Sequence, residues 1–281
     1  MSGTLYVVAT PIGNLEDLSF RALRLLREAA LIAAEDTRRT GRLLSHYGLA
    51  TPTLSFHAHN AHTRLPVLLA RLQAGEHVAL VTDAGTPGIS DPGRELVEAC
   101  VAHNIPVDPI PGPSAPLVAA VASGFPLEPI TVYGFPPPRS NNRKQWLAEV
   151  AEAVPHTFVF LEAPHRVRQT LADAVDILGV RPLVVCREMT KVHQQFLRGT
   201  SADVLTALEE VRGEFTVVVG PKVPEDRSEE VPVTPAEIHA EFCHMTDSGS
   251  GRRAAIAAIA RRHGLSSRDV YAAVEKTKDI R

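Results

Sequence analysis

Cysteine is scarce and scattered in this chain of 281 residues: Cys100, Cys186 and Cys243 lie far apart, without the paired spacing of a structural zinc site or a disulfide framework. A reducing, cytoplasmic setting and no metal centre are expected. No segment approaches the roughly 20 apolar residues that span a bilayer, and the start of the chain lacks the basic stretch and apolar run of a signal peptide. No membrane role is expected. A charge excess is missing too, because 29 Lys and Arg against 32 Asp and Glu leave only −3; any nucleic-acid surface must be local. No phosphate loop ends in Gly-Lys-Ser/Thr, and no Gly-x-Gly-x-x-Gly follows the first strand, which argues against ATPases and the common dehydrogenases.

What is present is a strand and helix alternation in a chain that is 44% hydrophobic and 22% charged, enough to bury a core in each of two domains. Leu5 to Ala9 reads as a buried strand feeding the tight loop Thr10 to Asn14, and Ser19 caps a helix that leads to the apolar run Leu31 to Ala34. The unit repeats through a helix over 65–72, a strand over 77–81, a helix over 94–103 and a strand over 106–110. A helix near 115–122 opens a second series, with strands over 130–133, 157–161, 183–186 and 215–219 and helices over 143–154, 166–178 and 202–211. This is an α/β chain whose first half holds a parallel sheet flanked by helices.

Residues 221–235 form a Pro- and acid-rich linker. Beyond it, Arg252 to Arg281 carry eight Lys and Arg against three Asp and Glu, a local +5 that leaves −8 for the rest. Such a tail suggests contact with a polyanion. Ala254 to His263 reads as a helix ended by Gly264, and Ser266 or Ser267 caps a second one. Ile256, Ile259, Leu265, Val270 and Val274 form the expected small core of a helix-turn-helix-like pair. The expected domains are 1–115, 116–222, a linker 223–234 and a basic module 235–281.

Four Gly- and Pro-rich loops fall at strand ends, where open parallel sheets bind ligands. They are Thr10 to Asn14, Asp83 to Gly93, Pro111 to Ala115 and Glu162 to Arg166. Their density of Gly and Pro lets a ligand approach the main chain closely. Asp83 stands as an isolated carboxylate at the floor of the cleft.

Leu5 to Gly13, Ala34-Glu35-Asp36-Thr37-Arg38, Ser55 to Asn60, Asp83 to Gly93, Pro111 to Pro113, Phe160 to Arg166 and Arg187 to Lys191 together resemble the ribosomal RNA small subunit methyltransferase I family. The resemblance runs over about residues 4 to 220. It implies two α/β domains of the tetrapyrrole-methylase type with the active cleft between them, and a small helical module at the carboxyl end. It further implies methylation of the ribose 2′-O of a cytidine in 16S rRNA by S-adenosylmethionine, a 30S ribosomal subunit partner and a homodimer. The cofactor contacts it implies are Pro11, Asp83, Thr86, Ile89, Ser114, Ala115, Glu162 and Met189. Two stretches depart from the family pattern, where Ala58 and Ala61 flank His59 and Asn60 and where Gln194 and Gln195 follow Lys191; a role needing a carboxylate there is not carried over.

Arg38 and Arg39, with Arg42, suit RNA phosphates, as do Arg252, Arg253, Arg261 and Arg262 in the tail. His57 and His59 would share one face of a strand; with no Cys or acidic partner nearby, RNA or ribose contact by His57 and Asn60 is expected rather than a metal pair. Glu162, His165 and Arg166 put a carboxylate, an imidazole and a guanidinium within one turn, and with Glu35 they are the catalytic candidates. Transfer to a hydroxyl needs alignment and loss of a proton. Glu162, Asp83, His57 and Glu35 all remain open as the base. A tetrapyrrole methyltransferase and a non-catalytic RNA-binding protein are the competing functions; neither explains both a basic tail and four ordered cleft loops.

Overall fold

A computed structural model of the chain describes residues 2–88, 93–223, 234–248, 250–263 and 265–278, without the side chains of residues 261, 277 and 278. The chain divides into two compact units, Met1–Lys222 and Val223–Arg281.

In the first unit, short apolar runs form an all-parallel sheet in the order β3 (Thr53–Ser55), β2 (Leu31–Ala34), β4 (Val78–Val81), β1 (Leu5–Val8), β5 (Val107–Ile110). Because strand side chains alternate, the sheet buries both faces. Val8, Ile32, Ala34, Ala79 and Val81 pack with α1 (Phe20–Glu28) and α2 (Thr37–His46). Leu5, Val7, Leu31, Ala33, Val78 and Leu80 pack with α3 (Ala61–Gln73) and α4 (Arg94–Ala102). Ser19 caps α1 as expected, its Oγ accepting the Ala22 N–H at 3.1 Å.

The second sheet is mixed. Its order is β6 (Ile130–Val132), β7 (Thr157–Glu162), β10 (Phe215–Val219), β8 (Leu183–Arg187), β9 (Gln195–Gly199). β6 runs parallel to β7, whereas β10 is antiparallel to both β7 and β8. β9 was not expected: as an edge strand it keeps exposed Gln195 and Arg198, so its sequence does not read as an apolar run. Helices α6 (Ser140–Ala153), α7 (Val167–Leu178) and α8 (Ser201–Ala207) cover one face, built on Phe158, Phe160, Val185, Phe215 and Val217. The other face, with Val159, Val184, Cys186 and Val218, packs on Ala119 and Ala120 of α5 (Ala115–Ser123) and on Ile12 from the first sheet's opening loop. That shared core joins the two sheets in one unit.

Two buried arginines lock this layer. Arg143 donates from Nε and Nη2 to Asp173 Oδ2 at 2.9 and 2.6 Å, both side chains being 2% exposed. Arg181 donates to the carbonyls of Gly220, Ala151, Val154 and His156 and lies 5.0 Å over the Phe158 ring. Backbone acceptors left bare at the ends of β7, β10 and α6 are thereby satisfied.

Among its described residues the second unit holds three helices rather than the expected pair: α9 (Pro235–Asp247), α10 (Arg252–Arg262) and α11 (Ser267–Lys278). A capping box between Thr234 and Glu237 starts α9. The core is Ile238, Phe242, Ala255, Ile259, Ala260, Val270 and Val274. Leu265 is a correction, since it lies in the connection between α10 and α11 and is 37% exposed. Ser266 Oγ accepts the Asp269 N–H at 3.1 Å. Gly264 and residues 224–233 of the expected linker lie outside the described residues.

Candidate active site at the loop edge of the first sheet

Strand β1 delivers Thr10 to Asn14, β4 delivers Thr82 to Gly88, and β5 delivers Pro111 to Ser114. These loops are tied to one another. Thr10 and Gly85 exchange backbone hydrogen bonds at 2.9 and 3.0 Å, and Thr86 Oγ1 donates to the Pro113 carbonyl at 3.1 Å. Gly85 sits at φ +87°, where a side chain would strain the backbone. The loop shape is set before any ligand arrives.

A cavity of about 370 Å³ opens there, lined by Ile12, Glu35, Asp83, Ala84, Gly85, Thr86, Ser114, Ala115, Pro116, Phe135, Leu161, Glu162, Ala163, Pro164 and Gly213 to Thr216. The volume suits a nucleoside-sized ligand. Of the expected cofactor contacts, Asp83, Thr86, Ser114, Ala115 and Glu162 line it. Pro11 instead lines a smaller adjoining pocket, and Met189 is 7% exposed within the apolar core between β8 and α5. Ile89 lies outside the described residues. Gly213 to Thr216 were missed because β10 runs antiparallel: its amino end, not its carboxyl end, reaches the cavity, with Phe215 opposite Glu162. Ser114 caps α5, yet its Oγ is buried without a hydrogen-bond partner among the described residues. A buried hydroxyl at a helix start is a place for a ligand acceptor group.

The carboxylates divide sharply. Glu162 is 2% exposed and its oxygens are used: Arg166 Nη2 lies 2.6 Å from Oε1, the Ala163 N–H donates to Oε1 at 2.7 Å, and Thr170 Oγ1 donates to Oε2 at 2.5 Å. The expectation of Glu162 as a base is corrected on that ground; with Arg166 it holds the loop over 163–166. His165 of that loop is exposed, and neither it nor Arg166 lines the cavity, which separates both from Glu35 and Glu162. Glu35 Oε2 accepts from Thr82 Oγ1 at 2.6 Å and from the Asp83 N–H at 3.2 Å. Asp83 Oδ1 accepts the Asp36 N–H at 3.1 Å, while Arg39 Nε lies 3.5 Å from Oδ2. Burial first, and then the field of Glu35, push the Asp83 carboxyl above the usual carboxylate range; Arg39 and the Asp36 N–H offset only part of this. Asp83 thus has one backbone donor and one loosely held arginine, and its carboxyl is held above its ordinary value.

Asp83 also lines the second pocket, about 140 Å³, with Thr10, Pro11, Leu15, Arg39, Thr40, Arg42, Leu43 and Thr82. It is the wall common to both. Arg38 is bound back to Asp36, its Nη2 2.7 Å from Oδ2, and that hydrogen bond drives the Asp36 carboxyl far below its usual range.

His57 and His59 are corrected as alternate residues of a strand: β3 ends at Ser55, and 57–60 form the turn into α3. Their rings lie 5.9 Å apart, edge to face. Asn60 is engaged by that turn, accepting the His57 N–H at 2.8 Å and donating to the Ser55 carbonyl at 3.2 Å. Among the described residues no group of three or more His, Cys, Asp and Glu side chains could hold a metal ion, and no helix is long and apolar enough to cross a membrane.

In the second unit, Arg252 pairs with Glu275 and lies over Phe242 and Tyr271, and Arg262 pairs with Glu241. Neither is the free cation expected of an RNA contact, because α11 sets Glu275 against Arg252 and α9 sets Glu241 against Arg262. Arg253 stays exposed without an ion pair among the described residues, and the Arg261 side chain lies outside them.

A family model described as Tetrapyrrole (Corrin/Porphyrin) Methylases matches residues 4–205. A ribosomal RNA small subunit methyltransferase I of Halalkalibacterium halodurans is 44% identical over 274 residues, covering 96% of this chain and 93% of its own. Its namesake in Synechocystis is 49% identical over 80% of this chain and 81% of its own. The Thermotoga maritima namesake is 46% identical over 222 residues, covering 78% of this chain and 99% of its own. Among solved structures, a uroporphyrin-III C-methyltransferase from Thermus thermophilus complexed with S-adenosylhomocysteine matches with TM-score 0.55 at 21% identity, over 78% of this chain and 97% of that one. A cobalt precorrin-4 methyltransferase matches with TM-score 0.59 at 16% identity, over 77% and 94%.

Proposed function

The chain belongs to the tetrapyrrole methylase family, among its ribosomal RNA small subunit methyltransferase I members, and from that premise we propose that it methylates the ribose 2′-O of a cytidine in 16S rRNA. The cofactor is S-adenosylmethionine, and the setting is the cytoplasm. What carries the reading is Asp83, a basic carboxylate that forms the wall between a nucleoside-sized cavity and an arginine-lined pocket. Relatives at 44–49% identity bear the ribosomal RNA name, whereas the tetrapyrrole enzymes match only at 16–22%, which favours RNA over a macrocycle.

The residues fit the cofactor. Ile12, Ala84 and Leu161 offer apolar walls for an adenine, the orphaned Ser114 hydroxyl and the start of α5 suit its polar groups, and Glu35 and Asp83 favour a cation. When bound, S-adenosylmethionine supplies an electrophilic methyl on a sulfonium. Asp83 would take the proton that the ribose hydroxyl loses as that oxygen accepts the methyl group. Glu35 positions Asp83 through its N–H, and the tied loops hold the alignment on which such a displacement depends. Ser114→Ala should weaken S-adenosylmethionine about 3- to 10-fold, the worth of one hydrogen bond; calorimetric titration checks this, and unchanged affinity removes Ser114 from the cofactor site.

Labelled S-adenosylmethionine offered with 30S subunits, naked 16S rRNA and a tetrapyrrole tests the whole reading. Label recovered in 2′-O-methylcytidine is the expected result. Label on a base, on another nucleoside's ribose or on the tetrapyrrole overturns it.

Arg253 and the remaining exposed cations of the second unit support its use on RNA phosphates. The Thermotoga relative, whose 222 matched residues are nearly its whole length, supports the first unit as the catalytic body. A chain ending at Lys222 should therefore keep its cofactor affinity and bind 16S rRNA more weakly, with a shallower salt dependence. Lost cofactor binding, or unchanged RNA affinity, would make the second unit a brace. Leu117, Val118 and Val121, exposed together on α5, support a homodimer, which sedimentation in solution checks.

A further inference from the structure

The smaller pocket beside Asp83 is built for an anion. Arg39 and Arg42 stand one helical turn apart on the same face of α2 and both line it, with Thr10 and Thr40, each nearly buried. Arg38, though more exposed, already closes on Asp36 through two nitrogens. Arg42 makes no ion pair among the described residues. Arg39 has one charged partner, Asp83, and holds it loosely: 3.5 Å from Nε to Oδ2 is beyond good hydrogen-bond geometry, and the guanidinium side chain is 59% exposed. Two guanidiniums thus line a pocket with one carboxylate, and only Arg39 is within ion-pair distance of it. A phosphate would give each of them a forked partner.

We propose that this pocket is the subsite for the phosphodiester flanking the acceptor ribose, and that Arg39 exchanges Asp83 for that phosphate when RNA binds. The proposal rests on the reading of Asp83 as proton acceptor for the RNA hydroxyl. Its geometry is economical. Among the described residues Asp83 is the only acidic side chain lining both pockets, so a nucleotide whose phosphate meets Arg39 and Arg42 brings its ribose to that carboxylate, with the cofactor cavity on the far side.

The exchange changes the base. Asp83 faces Glu35 and Asp36 from the end of β2 and Arg39 from α2. Among these, Arg39 is the charge that favours the ionised form, with Arg38 of the same helix adding to it, while the charges of Glu35 and Asp36 oppose it. Once Arg39 turns to the phosphate, Asp83 retains burial and its acidic neighbours, all of which strengthen its hold on a proton. The free chain thus keeps its base neutralised, and the substrate releases it.

Two variants test this with deproteinised 16S rRNA and 30S subunits as probes. Arg42→Gln should bind RNA about tenfold more weakly at 0.1 M salt, with the log–log salt slope reduced by about one and S-adenosylmethionine affinity unchanged. Arg39→Gln should separate two pH profiles in single-turnover methyl transfer. The second-order constant at low RNA reports the free chain, so its acid limb should move to higher pH than in the wild type. The rate at saturating RNA should keep the wild-type limb, because there Arg39 has already left Asp83. If the two limbs move together, or neither moves, Arg39 does not exchange, and the proposal fails. An unchanged salt slope for Arg42→Gln likewise removes the phosphate from the pocket. Asp83→Asn distinguishes the premise: full single-turnover rate in that variant discards Asp83 as proton acceptor while the Arg42 salt slope still decides the phosphate subsite.

Discussion

Asp83→Asn is expected to lower the single-turnover rate of methyl transfer about 10²-fold or more, the usual worth of a positioned base. The amide is close in shape to the carboxylate, so the cavity wall stays in place; loss of a charge that favours the cationic cofactor should weaken S-adenosylmethionine binding, and the rate is therefore read at saturating cofactor. A carboxyl that must accept a proton works only when ionised. Since burial and Glu35 raise the Asp83 value, the wild-type rate should rise with pH through a limb above that of an ordinary aspartate, and the limb should vanish from the residual activity of the variant. Rapid-quench measurement between pH 4 and 8 decides the matter. A variant that retains the wild-type rate and limb would return the base to Glu35 or His57.

The second large effect concerns the fold under the site. Asp173→Ala should destabilise the protein by about 3–5 kcal/mol, because it strands Arg143 as an uncompensated buried cation. Thermal unfolding should shift down by on the order of 10 °C. Replacing both partners, Arg143→Met with Asp173→Leu, should recover most of that loss, since no charge is then left buried without a partner. The pH dependence has a defined sign. Burial pushes the Asp173 carboxyl up, but hydrogen bonds from Gln169, Arg143 and Ser140 outweigh it and hold the group below its ordinary value. Its contribution is therefore complete above the unfolded value of about 4 and lost as pH falls through the folded one. The wild type should lose stability in that acid window and the double variant should lose less; equal acid sensitivity would show that Asp173 does not supply the term.

By itself the sequence determined the alternation of strands and helices, the parallel first sheet and the loops that carry the cavity. Each follows from local causes: runs such as Val78–Val81 bury on both faces, Ser19 caps its own helix, and Gly85 supplies the backbone angle that its turn demands. The antiparallel course of β10 was decided only in three dimensions, because Phe215–Val219 reads the same in either direction; that course brought Gly213 to Thr216 into the cavity. Tertiary structure also separated acids that look alike along the chain. Glu162 is saturated by Arg166, Ala163 and Thr170, whereas Asp83 meets Glu35 and Asp36 from 47 or 48 residues away and is left with a loosely held arginine. The tail arginines divided in the same way once α9 placed Glu241 against Arg262. Periodicity reports which face of an element is buried, but the ionisation and availability of a polar group depend on its nearest charges and donors, and chain folding brings those from distant positions.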